Sequence, residues 1–314
     1  MKVLVTGGAG FIGSFLCERL LKEENEVVCL DNLSTGNKSN IEHLLKEQKF
    51  KFLEHDVTKP IELKVDSIFH MASPASPVDY QKLPIETSMA NSIGTFNILE
   101  LARKNNARFL LTSTSEVYGD PLENPQKETY WGNVNPFGVR SCYDESKRFA
   151  ETLTMSFFRK YGLDVRIARI FNTFGPRMRK DDGRAIPNFM VQALSGKSIT
   201  VYGDGKQTRS FCYISDMTNG LMKFMFTDDI SGEVVNLGNP DERSIISVAE
   251  LIKKLTQSKS EIIFKPLPED DPKHRKPNIN KAKELLNWKP KVDFIDGLKK
   301  TIEWFKKELT FPNK

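Results

Sequence analysis

Apolar and polar residues follow two rhythms through the first half of the chain. Short, largely apolar runs occupy residues 2–6, 26–31, 50–55, 66–71, 108–113 and 164–170. They read as strands, several of them apolar enough to be buried on both faces. Between them, residues 11–23, about 84–105 and 143–161 space their apolar positions three and four apart, as helices with one packed face do. Strands alternating with helices predict an α/β fold. Right-handed crossovers would wind its parallel sheet twice.

After Asn172 the texture changes. Gly, Pro and Arg become frequent in FGPRMRKDDGRAIPN (174–188) and YGDGKQTR (202–209), and the strands turn short. Residues 211–226 read as a helix and 234–237 as a strand, both returning to the sheet. From 247 onward the pattern is that of a smaller helical region. The expected division is a nucleotide domain of residues 1–170 with 211–237, and a smaller C-terminal substrate domain of 171–210 with 238–314. Repeats and low-complexity linkers are absent from the sequence.

Composition narrows the class. With 314 residues, 39% hydrophobic and 28% charged, the chain can bury a sizeable core. The net charge of +5 is dispersed, without the tight basic block of a nucleic-acid arm, and favours an anionic small substrate. Cys17, Cys29, Cys142 and Cys212 lie far apart and the four histidines are scattered. Neither a metal site nor a disulfide framework is expected. The opening strand MKVLVTGG is too short for a signal-peptide core, and no apolar run reaches membrane-spanning length. A cytoplasmic enzyme with no membrane or nucleic-acid partner is the expectation.

Chemistry first surfaces at Thr6-Gly7-Gly8-Ala9-Gly10-Phe11-Ile12-Gly13, where glycines 7, 10 and 13 stand between a strand and a helix. Glycine allows the tight turn and lets backbone N–H groups reach a pyrophosphate at the helix N-terminus. A glycine triplet alone is weak evidence. Asp31, ending the second strand with Asn32 beside it, strengthens the case: a carboxylate there accepts from both ribose hydroxyls and repels a 2′-phosphate. A Rossmann-type NAD site follows. Asp56 and Val57 fall where an adenine edge would lie, and Met71, Ala72 and Ser73 beneath the cofactor, although each could be a plain strand end.

Tyr143 and Lys147 stand four apart on one helix face. Such a pair arises by chance in a Lys-rich chain. Its chemistry is specific, however: an ammonium, helped by a nicotinamide's positive charge, lowers the phenol's pKa so that it can take a hydroxyl proton. Thr114 would hydrogen-bond the same substrate oxygen.

The sequence resembles the extended short-chain dehydrogenase/reductase family over essentially its whole length, and within it the UDP-glucuronate decarboxylases (UDP-xylose synthases). The matching stretches are HMASPASPVDY (70–80), TSEVYGDP (114–121), YWGNVNPFGVRSCYDESKR (130–148), FNTFGPRM (171–178), VYGDGKQTRSF (201–211) and DDPKHRKPNI (270–279). Two departures are Ser146, where Gly is usual, and Asn278, where Asp is usual.

The resemblance implies that Tyr143 takes the sugar C4 proton as hydride leaves C4 for NAD+. The resulting 4-keto uronate loses CO2, and protonation at C5 with return of hydride gives UDP-xylose. It further implies that Glu116 attends C5 and that Arg275 lies near the sugar carboxylate and diphosphate. Asn172, Arg184, Val201, Tyr202 and Arg209 would bind UDP, and Ser76 and Ser115 the carboxylate. As alternatives, Glu116 could be an N-cap or a surface acid, Arg275 one charge of a solvated segment, Tyr202 a packed strand residue, and SPASP a Pro-rich turn. By the same resemblance, helices 84–105 and 143–161 form a homodimer interface that includes Phe149, Leu153, Phe157 and Phe158.

The nearest rival is a nucleotide-sugar 4,6-dehydratase. Those enzymes carry an acid between the Thr and Glu, where this chain has Ser115. A 4-epimerase, which has no need of Glu116, and a non-catalytic NAD-binding relative follow.

Overall fold

The computed structural model describes residues 1–310. Six strands are β1 (Lys2–Thr6), β2 (Glu26–Asp31), β3 (Phe50–Glu54), β4 (Ser67–His70), β5 (Arg108–Thr114) and β6 (Val165–Ile170). With the strand Glu233–Leu237 they form one seven-stranded sheet. Its order is β3-β2-β1-β4-β5-β6 followed by 233–237, every neighbouring pair parallel. Thr6 pairs with Leu30 on one side and His70 on the other, so the carboxyl ends of three strands share one edge. The strand order reverses between β1 and β4, which opens a crevice at that edge.

The helices are α1 (Phe11–Lys22), α2 (Pro77–Lys82), α3 (Pro84–Met89), α4 (Thr95–Asn105), α5 (Ser141–Tyr161), α6 (Ala185–Leu194), α7 (Ile214–Phe226), α8 (Ile245–Thr256), α9 (Asn280–Leu286) and α10 (Phe294–Thr310). Alternate residues of β1 feed two separate cores, as a strand covered on both faces requires. Val3 and Val5 belong with Leu16, Leu20, Leu221 and Phe224 of α1 and α7. Leu4 belongs with Ile98, Leu99 and Phe157 of α4 and α5. A third cluster joins α6, α8 and α10 through Phe189, Ile252 and Phe305.

Several elements differ from the pattern in the sequence, three of them as follows. The helix expected over 84–105 is α3 and α4 joined by a wide π turn at Ala90–Gly94. A Cβ on Gly94 would lie 2.7 Å from Val57 Cγ2, so glycine lets this turn press on the end of the third strand's segment. Asn91 in the turn donates to Ser146 Oγ at 2.9 Å. The serine that departs from the family's usual glycine thus pins α5 to the turn. Second, residues 212–213 are a short strand beside Thr173–Phe174, and α7 starts only at Ile214. Third, the C-terminal region contributes the strand Ile262–Lys265, paired with Ile199–Tyr202. Short strands fixed only by distant partners leave little periodic signal.

The chain after α9 is fastened to α7 by Asp216. One carboxylate oxygen accepts from the backbone N–H groups of Lys291 and Val292, both at 2.8 Å, while the Asp216 carbonyl accepts from Trp288 Nε1. Asp216→Ala leaves two partly buried donors without their charged acceptor. The expected loss is about 2–3 kcal/mol of unfolding free energy, read as a lower urea midpoint with unchanged slope.

Candidate active site

Every strand that carries a cofactor-site expectation ends at the crevice. A cavity of about 790 Å3 opens there. Gly7, Gly10, Phe11, Ile12 and Gly13 line it, as do Asp31, Asn32, Asp56, Val57, Met71, Ala72 and Ser73. Gly7 adopts φ +70, and a Cβ on Gly13 would stand 2.2 Å from the Gly7 carbonyl oxygen. The loop therefore folds back on itself as only glycine permits. Neither a capping side chain nor an acid occupies the first turn of α1, so its N–H groups remain available to an anion. Asp31 accepts from the N–H groups of Ala9 (3.0 Å) and Leu33 (2.8 Å). Burial nevertheless raises its pKa, the two N–H donors opposing.

Beneath the loop a chain of neutral groups sets the floor. Thr6 Oγ1 accepts from the N–H groups of Met71 and Ala72, which leaves its own proton for His70 Nδ1 at 2.9 Å. His70 Nε2 then carries the ring proton toward Thr95 Oγ1 at 3.1 Å. Burial, with the nearby Lys147 charge, pushes the His70 pKa down to about 3.

Tyr143, Lys147, Thr114, Ser115 and Glu116 meet on the same cavity. Lys147 Nζ lies 5.9 Å from the Tyr143 ring centre and donates to the Thr112 carbonyl at 3.0 Å. Burial brings the lysine down to about 8. Burial also raises the Tyr143 phenol above its ordinary value, with Glu116 adding to the rise and Thr114 and Arg184 opposing it. The Lys147 ammonium is turned to a backbone carbonyl and away from the phenol ring.

Thr114 ends β5 and caps a short turn at Ser115–Tyr118, its hydroxyl accepting from the Glu116 N–H at 3.1 Å. Arg140 and Arg275 both donate to Glu116 Oε2. Burial would raise that carboxyl, but the Arg275 and Arg140 guanidiniums hold it at about 2. Glu116 is a fixed carboxylate, not an acid.

Arg275 is 1% exposed and does not line the cavity. It donates to the Ser115 carbonyl and to Glu116. The segment carrying it is stitched to Gln126: the Gln126 N–H donates to the Lys276 carbonyl (2.9 Å), and the Lys276 and Asn278 N–H groups return to Gln126.

Asn172, Arg184, Tyr202, Arg209 and Ser76 line the cavity, whereas Val201 does not. Strand alternation turns Val201 into the third core and leaves Thr200 and Tyr202 facing outward. Ser76 caps α2, accepting from the Asp79 N–H and donating to its carboxylate at 2.7 Å. Arg184 holds Asp182 through two bonds of 2.6 and 2.7 Å, and Arg209 holds Asp271 at 2.8 Å.

Two residues at the site escaped the sequence reading. Arg140 stands three residues before Tyr143 and lines the cavity; a lone cation at the start of a helix that carries the base was its available signal. Tyr80, closing the HMASPASPVDY stretch, stacks on Tyr143 with ring centres 5.0 Å apart and planes within 4°. Its aromatic partner lies 63 positions away, beyond any local pattern.

The sequence profile described as GDP-mannose 4,6 dehydratase matches residues 4–301. UDP-glucuronic acid decarboxylase 1 of Arabidopsis thaliana is 53% identical over 309 residues, covering 98% of this chain and 71% of that protein. UDP-glucuronic acid decarboxylase 1 of Xenopus tropicalis is 53% identical over 308 residues, covering 98% and 73%. Among solved structures, UDP-glucuronic acid 4-epimerase from Bacillus cereus, in complex with UDP-glucuronic acid and NAD, superposes with a TM-score of 0.90. It is 30% identical, and the match covers 98% of this chain and 99% of that one. With the glycine cradle, the Tyr143–Lys147 pair and the Glu116 cluster on one crevice, this chain belongs to the UDP-glucuronic acid decarboxylases of the extended short-chain dehydrogenase/reductase family.

Proposed function

We propose that this enzyme converts UDP-glucuronate to UDP-xylose and CO2 with NAD recycled at each turnover. The observation that carries the reading is Glu116 held ionised between two arginines beside a hydroxyl, Ser115. Neither group is a proton donor suited to expelling a sugar hydroxyl as water. Loss of CO2 requires no proton on its leaving group, so the same edge suits decarboxylation.

NAD fits the crevice by the glycine cradle of residues 7–13 and by Asp31 at the ribose position; when bound it supplies hydride acceptance and return at sugar C4. Tyr143 takes the C4 hydroxyl proton, aided by the positive charge of a bound nicotinamide, and Thr114 orients that oxygen. The resulting ketone stands β to the carboxylate, so the electrons left by departing CO2 spread onto the C4 oxygen beside Tyr143. Glu116 orients a water toward C5 and keeps its own charge. Arg275 acts as a positioning residue by fixing Glu116 and the Ser115 carbonyl. Arg209 and Arg184 supply forked donors for the diphosphate. Residues 1–170 with 211–237 form the NAD-holding part, and 171–210 with 238–314 the sugar-nucleotide part.

A homodimer is part of the reading. Ile85, Met89, Ile93 and Phe96 recur at helical spacing as exposed apolar residues, with Phe149 of α5 exposed as well. Phe157 is core, packed edge-on to Phe96. Among the described residues no helix is long and apolar enough to cross a membrane. Four unpaired cysteines fit a reducing compartment, and we place the enzyme in the cytoplasm.

Purified protein given UDP-glucuronate should release CO2 and form a UDP-pentose; intact substrate, or water loss from a hexose nucleotide instead, would sink the reading. Tyr143→Phe should lower turnover at least about 100-fold while NAD still binds; near-normal turnover would remove Tyr143 from its role. Ser115→Asp places a second carboxylate against the uronate. Turnover of UDP-glucuronate should fall by about two orders of magnitude, with UDP-xylose binding little changed.

A further inference from the structure

Each turnover of the proposed reaction consumes one proton that the substrate does not carry. Loss of CO2 leaves an electron pair that ends as a new C–H bond at C5. The C4 proton taken by Tyr143 goes back to the C4 oxygen when hydride returns, so it does not serve C5. Glu116 is held ionised, and Lys147 is turned to the Thr112 carbonyl. The proton for C5 has to enter from solvent.

A second cavity, of about 200 Å3, adjoins the main one. Arg140 and Pro272 line both, so the two cavities meet at these residues. Asp144 of α5 lines the small cavity and not the large one. Asn133, also in its lining, is exposed and puts the cavity in reach of solvent. Two buried polar atoms at this place find no hydrogen-bond partner among the described residues, Asp144 Oδ1 and Arg140 Nε. The Asp144 side chain is only 8% exposed, and its Oδ2 stands 4.0 Å from that same Nε. An acceptor and a donor kept unpaired beside a cavity with room for several waters are what a water file requires.

The surroundings suit Asp144 to hold a proton. Burial raises its carboxyl to about 8; Glu116 and Glu145 add to the rise, while Arg140 and Arg275 oppose it. The phenols of Tyr80 and Tyr143 also feel its charge. Asp120 and Asp270, the other ionisable groups of the small cavity beside Arg140, are acids, and like charge favours a neutral neighbour. Asp271 lies beyond, paired to Arg140 and Arg209. At neutral pH the Asp144 carboxyl therefore carries its proton, one guanidinium away from Glu116, which Arg140 bonds through Nη2.

We propose that Asp144 is the proton reservoir for C5, acting through water and refilled from solvent by way of the small cavity. The inference rests on the decarboxylase reading and deepens it. The water oriented by Glu116 gives a proton to C5, and the C5–H bond forms from the pair left by CO2. The hydroxide that remains takes the Asp144 proton through the water file, and the Asp144 carboxylate regains one from solvent. Arg140 keeps its own protons and serves as the wall along which the waters line up. Two carboxyls a few residues apart in role are thus kept in opposite states, Glu116 ionised to orient and Asp144 neutral to supply.

The test is a single turnover of the NAD-loaded enzyme with UDP-glucuronate, following reduced nicotinamide, CO2 and UDP-xylose together. Hydride returns to C4 only after C5 is protonated, because the enolate has no carbonyl carbon to accept it. Asp144→Asn keeps the shape of the protonated carboxyl and removes its acidity. Reduced nicotinamide and CO2 should then appear within about threefold of the wild-type rate, while the decay of reduced nicotinamide and the formation of UDP-xylose slow about 100-fold. Asp144→Glu should bring the decay back to within about tenfold of wild type. In wild-type enzyme the decay should slow as pH rises through about 8, where Asp144 loses its proton, and Asp144→Asn should abolish that dependence. Equal slowing of rise and decay, or an unchanged decay, overturns the reservoir. So does a wild-type decay that fails to slow with rising pH, a result that needs no variant to fold. Wild-type protein that releases no CO2 from UDP-glucuronate would instead overturn the decarboxylase reading.

Discussion

Glu116 is the charge around which the sugar-facing half of the site is arranged. It follows the end of β5, yet its two cationic partners come from elsewhere: Arg140 from the residue before α5, and Arg275 from the segment before α9. A buried carboxylate without partners would take up a proton. With both arginines in place it stays ionised, and three distant stretches of chain are tied to one oxygen atom. The arrangement also spreads charge onward. Arg140 faces Asp144 one turn along α5 and Asp271 across the cavity rim, and Asp271 in turn holds Arg209. Acids and bases alternate along the cavity from Glu116 to Arg209.

The electrostatics divide the cavity into two environments. Toward the cofactor, His70 is neutral and its threonine neighbours exchange ordinary hydrogen bonds. Lys147 and Tyr143 sit at the boundary, both shifted by burial toward their uncharged forms. Toward the sugar the charges are dense and paired.

Much of this was legible in the sequence because it is local. The strand ends, the glycine turn, Asp31 and the Tyr143–Lys147 spacing each lie within one or two elements, and all of them face the cavity. What escaped is contact between distant stretches. Val201 matched a motif whose neighbours line the cavity, but strand alternation sends its side chain inward. Arg275 stands behind Glu116, at a depth set by the pairing at Gln126, which no local pattern reveals. Tyr80 closes the HMASPASPVDY stretch, and only the packed fold lays it on Tyr143. Periodicity reports which face of an element is buried and is silent on what it meets there.

The Gln126 stitch also orders the site in time. A ribosome makes the cofactor crevice, the base and Glu116 well before it reaches the segment that carries Arg275, 160 positions beyond Ser115. Until that segment pairs with Gln126, Glu116 lacks one of the two guanidiniums that bond it. The core beneath the cradle also draws on Ile279, Ala282, Leu286 and Trp288, which follow Arg275 in the chain. Arg275 completes the charge pattern around Glu116 only after every strand of the seven-stranded sheet is in the chain.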